Sequence, residues 1–142
     1  LRFPGVDSLL YPEAREIPAT ADPRELATRL LEALIAGPAD QALAPVLPPD
    51  VAVASVHLTA AGIAYVDLQS DAARPPASGS TQEALTLYGL VQTLVDNVPQ
   101  IHAVVLLWNS RQPETFGGHI DTTRPLVPDP TLLAPDPDAA PS

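Results

Sequence analysis

A chain of 142 residues, 46% hydrophobic and 17% charged, has the length and composition of one packed globular domain, large enough to hide about two-thirds of its unfolded surface. Its 7 basic residues, all arginine, face 17 acidic ones for a formal charge of −10, a balance that repels a phosphate backbone and excludes nucleic acid as the expected partner. The lack of any cysteine rules out a disulfide, a thiolate nucleophile and a cysteine-based metal centre, and no run approaches the ~18 apolar residues that span a bilayer.

The opening stretch, Leu1 to Pro18, is apolar in short pieces broken by Pro4, Gly5 and Pro12, which predicts edge strands and turns. Leu1 and Phe3 read as the end of a strand whose beginning is missing; Leu9 to Tyr11, then Ile17, read as further extended pieces. From Asp22 a helix is predicted, with Asp22 as cap, Pro23 at the first helical position and Glu25 placed for a capping box. Leu26, Ala27, Leu30, Leu31, Leu34 and Ile35 form its buried stripe, Glu25 can pair with Arg29, and Gly37-Pro38 ends it.

Val51–Leu58 and Ile63–Leu68, separated by Gly62, predict a β-hairpin, and a phase shift between Val53 and Val56 predicts a bulge near Ser55. After a loop from Ser70, Ser80 and Glu83 open a second, longer helix. Its stripe is Ala84, Leu87, Tyr88, Val91, Leu94, Val95 and Val98, with Gln82, Glu83, Gln92, Asp96 and Asn97 largely opposite. Gly89 in mid-helix costs about 1 kcal/mol of propensity, which points to close packing at that position. Pro99 stops the helix, and the apolar run Ile101–Trp108 predicts a central strand covered on both faces. A turn at Asn109–Gln112, a short strand around Glu114–Phe116 and a break at Gly117-Gly118 follow. The Pro- and Asp-rich end cannot order much beyond Leu133, so residues 1–133 are expected as the domain and 134–142 as a flexible tail.

The chemistry-bearing residues form no catalytic set. No G-x-S-x-G elbow surrounds any serine. His119 and Asp121, two apart on an extended segment, share a side and are the nearest approach to a metal or water site, yet His57 and His102 lie in other strands at no metal-ligand spacing. Asp67, Asp71, Glu83 and Asp121 have spacings that neither bring them together nor keep them apart, and Gly117-Gly118 lacks the Lys-Ser/Thr of a phosphate loop. No cofactor and no metal are expected.

In order, Leu9-Tyr11-Pro12-Glu13 through Arg15 and Ile17-Pro18, the helix Asp22–Ile35 ending in Ala36-Gly37-Pro38, Leu47-Pro48-Pro49, Ala64–Leu68, Leu90–Leu94 with Gln92 and Thr93, and Gly117-Gly118-His119-Ile120-Asp121 leading to Arg124-Pro125-Leu126 resemble the GerMN domain of bacterial envelope proteins. Departures from the family pattern are a shortened opening strand, Asn109-Ser110-Arg111 where an Asp-Gly-like turn is usual, and Gln92 where Asn is common. The resemblance implies an α+β fold: a mixed β-sheet of about 4–6 strands with two α-helices packed on one face, in two layers. It also implies a location outside the cytoplasmic membrane through a lipoprotein or membrane anchor upstream of Leu1, no enzyme activity, and partners among envelope proteins or further copies of the chain, some relatives being similar to ring-forming modules. Arg15, Gln92, Thr93, Gly117, Gly118, His119 and Asp121 are the candidate structural or partner-contact residues. Two alternatives stand beside the interaction module: a binding module for a small molecule or cell-wall glycan using Tyr65, Trp108, His119 and Arg15, and a hydrolase using His119 and Asp121.

Overall fold

The computed structural model describes residues 1–47, 50–71, 80–112 and 122–134. Within them the chain runs β1 (Arg2–Pro4), β2 (Leu10–Pro12), α1 (Pro23–Ala36), β3 (Ala52–Leu58), β4 (Ile63–Gln69), α2 (Ser80–Asn97), β5 (Ala103–Trp108) and a 3-10 turn at Pro130–Leu132. The class is α+β with a mixed sheet, as expected, but the strands divide. β3, β4 and β5 form the main sheet in that order, antiparallel then parallel, while β1 and β2 pair as a separate antiparallel ribbon. Pro4 and Pro12 close the two ribbon strands after three residues each, because proline has no N–H to extend a ladder. The strand expected around Glu114–Phe116 lies outside the described residues.

At α1 the cap forms with different partners from those predicted. Asp22 Oδ1 accepts the Arg24 N–H at 3.0 Å, but Thr20 Oγ1 takes the Asp22 N–H at 3.2 Å and donates to Glu25 Oε2 at 3.0 Å. Thr20 thus occupies the donor that a capping-box glutamate would have taken, and Glu25 turns its other oxygen to Arg29. Ala27, Leu30, Leu31 and Leu34 are buried, and Gly37, at φ +92°, ends the helix with its N–H on the Leu34 carbonyl.

The hairpin matches its sequence signals. The β3–β4 register slips between Val53 and Ser55, the bulge expected there, and Gly62 turns the chain at φ +87°. Among the described residues β4 lies between β3 and β5, and the outer side of β5 is bridged at Val104 to Leu126 and at Trp108 to Arg111. β5 is nonetheless covered on both faces, Ala103 and Val105 on one and Val104, Leu106 and Trp108 on the other all being buried.

The largest departure is in α2. Glu83 and Gln92, expected on its outer side, are 0% and 7% exposed. Leu87, Val91, Leu94 and Val98 join the core cluster with Val66 and Val104 of the main sheet. Gly89 and Thr93, roughly 200° around the helix from Leu87, meet the ribbon instead: Thr93 Oγ1 accepts the Arg2 N–H at 3.0 Å. Thr86 Oγ1 donates to the Val46 carbonyl at 3.0 Å on the same side. A helix covered on opposite sides has little outer face left, which accounts for Gln92; Glu83, four residues before Leu87, lies on the core-facing stripe itself. Further along the chain, Ala134 is buried and donates its N–H to the Leu10 carbonyl at 2.9 Å.

Gly89 marks a close approach of α2 to the ribbon. A Cβ there would stand 3.2 Å from Val46 Cγ2, 3.3 Å from Leu10 Cδ2 and 3.5 Å from the Arg2 carbonyl oxygen. Gly89→Leu is therefore expected to lower stability by roughly 1–3 kcal/mol through overpacking, despite its better helix propensity, as read by urea unfolding.

Candidate interaction surface

Arg15 stands on the segment after β2 and reaches the exit of α1. Its Nη2 donates to Glu13 Oε1 at 2.5 Å and to the Gly37 carbonyl at 3.1 Å, placing a cation at the negative end of the helix. Glu13 accepts the Ala39 and Asp40 N–H groups at 2.9 and 3.3 Å. The Ala39 N–H first, then Arg15, holds the Glu13 carboxyl below the usual glutamate range against the opposing effect of burial. This clamp locks β2 to the end of α1.

Thr93 is fully buried; besides accepting from Arg2, its hydroxyl donates to the Gly89 carbonyl at 2.8 Å. Gln92 Nε2 donates to Asp96 Oδ1 at 2.7 Å, while its buried Oε1 has no hydrogen-bond partner among the described residues. Gly117, Gly118, His119 and Asp121 lie outside the described residues. The structure therefore puts Arg15 and Thr93 on two different seams of the fold.

Asp67, weighed above as a possible catalytic carboxylate, holds a turn. Its Oδ1 accepts the Ser110 N–H at 2.9 Å and its Oδ2 accepts the Ser110 hydroxyl at 2.8 Å. Asn109 and Ser110 have φ of 50° and 66° and close a two-residue turn between Trp108 and Arg111, whose backbones exchange hydrogen bonds of 2.7 and 3.1 Å, the geometry that ordinarily selects Asn-Gly. Asp71 is exposed, and among the described residues no three of His, Cys, Asp and Glu gather as a metal set. Tyr65 and Trp108 do not share a pocket: Trp108 pairs with Leu68 and packs into the core, whereas Tyr65 points to the opposite face beside His57, ring centroids 6.4 Å apart.

What the described residues present outward is the β3–β4 hairpin. Ala52, Ala54, Ser55 and His57 are exposed, and Val53, Val56 and Leu58 half-buried. Its tip, with Gln100 and His102, lines an open groove of about 410 Å³. His102 packs over the turn, donating its N–H to the Gly62 carbonyl at 2.8 Å.

Two substitutions separate the roles of these contacts. Asp67→Ala removes both bonds to Ser110 and is expected to cost about 2 kcal/mol, whereas Ser110→Gly loses one bond but relaxes the positive φ and should cost under about 1 kcal/mol; chemical denaturation reads both. The Glu13 clamp is expected to show in the pH dependence. A carboxyl whose folded pKa is depressed adds stability that is complete above the unfolded value and is lost as pH falls through the folded one. The Tm difference between wild type and Glu13→Gln should be largest near neutral pH and shrink as pH falls below the ordinary glutamate range.

The family model described as Germane, sporulation and spore germination, matches residues 3–114. Among solved structures, a candidate lipoprotein from Clostridium perfringens is similar at a TM-score of 0.68 and 25% identity, over 94% of this chain and 90% of that one. The tandem GerMN domains of the sporulation protein GerM from Bacillus subtilis align at 0.67 and 17% identity, over 89% of this chain and 45% of that one. The first GerMN domain of the same protein aligns at 0.61 and 19% identity, over 87% and 92%. A search of curated proteins finds no match. With the family model covering most of its length and GerMN domains among its structural neighbours, the chain belongs to the Germane (GerMN) family of sporulation and spore-germination domains.

Proposed function

We propose that this chain is a non-catalytic interaction module working outside the cytoplasmic membrane, carried there by a lipid or membrane anchor beyond these residues, and that it contacts envelope proteins or further copies of itself. The observation that carries the reading is how the polar side chains are used. Asp67, Glu13, Arg15 and Thr93 each bond main chain of a distant segment, so these polar groups, among the described residues, are committed to shape. Family membership and the similarity to a candidate lipoprotein support the location. No helix among the described residues is long and apolar enough to cross a membrane.

The test is capture: the folded chain, immobilised, is exposed to an envelope fraction of the bacterium that encodes it, and cross-linked partners are identified by mass spectrometry. Saturable capture that heat-unfolded chain does not show is the expected result. A folded chain that stays at 14.9 kDa in light scattering and captures nothing would overturn the proposal.

A further inference from the structure

We infer that β3 is a self-pairing edge, through which two copies of this chain join their main sheets antiparallel about a two-fold axis at His57. The inference rests on the interaction-module reading and names its surface and its partner.

β3 is the edge strand of the main sheet, with β4 on one side and no described strand on the other. The phase of its ladder follows from the turn. The Thr59 N–H donates to the Ile63 carbonyl at 3.0 Å, so bonded and non-bonded pairs alternate back along the hairpin, and the aligned pairs His57–Tyr65 and Ser55–Asp67 are the bonded ones. Val56 and Leu58 then direct their N–H and C=O groups away from β4, and neither has a backbone partner on that side among the described residues.

Exposed edges are ordinarily blunted by charge, proline or a bulge. From Val51 to Val66 the sequence has no Asp, Glu, Lys, Arg or Pro; all seven arginines and all 17 acidic residues lie elsewhere. The register slip between Val53 and Ser55 is the one protection, and it leaves Ser55–Leu58 regular. A chain of formal charge −10 has withheld charge from the strand where charge would prevent pairing.

The same neutrality selects the partner. A basic segment meets no carboxylate along this edge and an acidic one no cation, whereas a neutral, β-branched strand meets its like, and β3 is itself such a strand. Setting Val56 opposite Leu58 of the second copy, and Leu58 opposite its Val56, satisfies the outward groups with four main-chain hydrogen bonds. The arrangement is isologous and faces the two exposed His57 side chains across the axis in a non-bonded pair. Asp50, which precedes β3, would lie roughly 45 Å from its counterpart at ~3.4 Å per residue, several Debye lengths at physiological salt. Asp67 is buried and held by Ser110.

The experiment uses the whole chain and two variants at the exposed axis residue, His57→Glu and His57→Lys, with circular dichroism confirming their fold. Wild type is expected to rise from 14.9 kDa toward twice that mass with concentration in sedimentation, and to protect the Val56 and Leu58 amides from hydrogen exchange only when concentrated. Each variant alone, with like charges opposed, should associate roughly fivefold more weakly or worse, and an equal mixture of the two should recover association. Wild type that stays monomeric, variants that associate as wild type does, or Val56 and Leu58 amides indifferent to concentration would each overturn the inference. If a monomeric wild type still captures an envelope protein, self-pairing falls and the interaction reading stands; if it captures nothing, both fall.

Discussion

The close approach of β1 to α2 at Gly89 and Thr93 is the constraint on which the rest of the structure depends. A helix bearing Leu87, Val91, Leu94 and Val98 on one side needs only a sheet beneath it. This helix also buries Leu85 and Gln92, roughly 160° and 140° around from Leu87, and that requires a cover on the far side. The three-residue strands of the ribbon are too short to stand alone. Thr93 pins the ribbon by taking the Arg2 N–H, Gly89 removes the Cβ that would hold it off, and Phe3 and Leu10 then reach full burial. The ribbon is thereby anchored on α2, and α2 gains the cover its far side needs.

The clamp at Glu13 and Arg15 extends this logic. Once β2 lies on α2, the chain must cross to α1, and the ion pair fixes the crossing by bonding the Gly37 carbonyl and the Ala39 and Asp40 N–H groups. A partly exposed pair of this kind contributes modestly as an ion pair; its larger effect is to satisfy main-chain groups left open where α1 ends. The Asp67–Ser110 contact does the same at the other end of the main sheet, holding a turn whose two positive φ values lack the usual glycine.

Legibility in the sequence followed locality. The Asp22 cap, Pro23, the Gly37 stop, the bulge before Ser55 and the hairpin at Gly62 are set within a few residues, and all were readable. The burial of Gln92 was not, because the cover over α2 comes from residues near the start of the chain and helical periodicity carries no information about a second partner; Glu83, four residues before Leu87, falls on the core-facing side by that same periodicity. Gly89 was the clue: its propensity cost signalled close packing, though against the ribbon and not the main sheet. Thr93 and Arg15, singled out only through family resemblance, turn out to hold seams between segments far apart in sequence. Spacing alone nominates no such residue.

Charge placement ties the fold to its use. An acidic protein is kept soluble and apart from its copies by its own field, and any lasting contact must be made where that field is weakest or a partner supplies the opposite sign. Here the acidic residues fall before Val51 and after Val66, while α1 packs beneath the intervening hairpin. That packing leaves Val56 and Leu58 half-buried on the helix side, with their outer main-chain groups unpaired among the described residues. The helix thus stiffens an edge that carries no charge of its own. Main-chain bonds give such an edge affinity without residue-specific recognition, so specificity has to come from the few side chains that flank it, Ser55 and His57 on the exposed face. Under the proposed pairing, discrimination between a second copy and any other neutral strand would rest on those two positions, and such a domain would exchange partners by changing two exposed residues without disturbing its core.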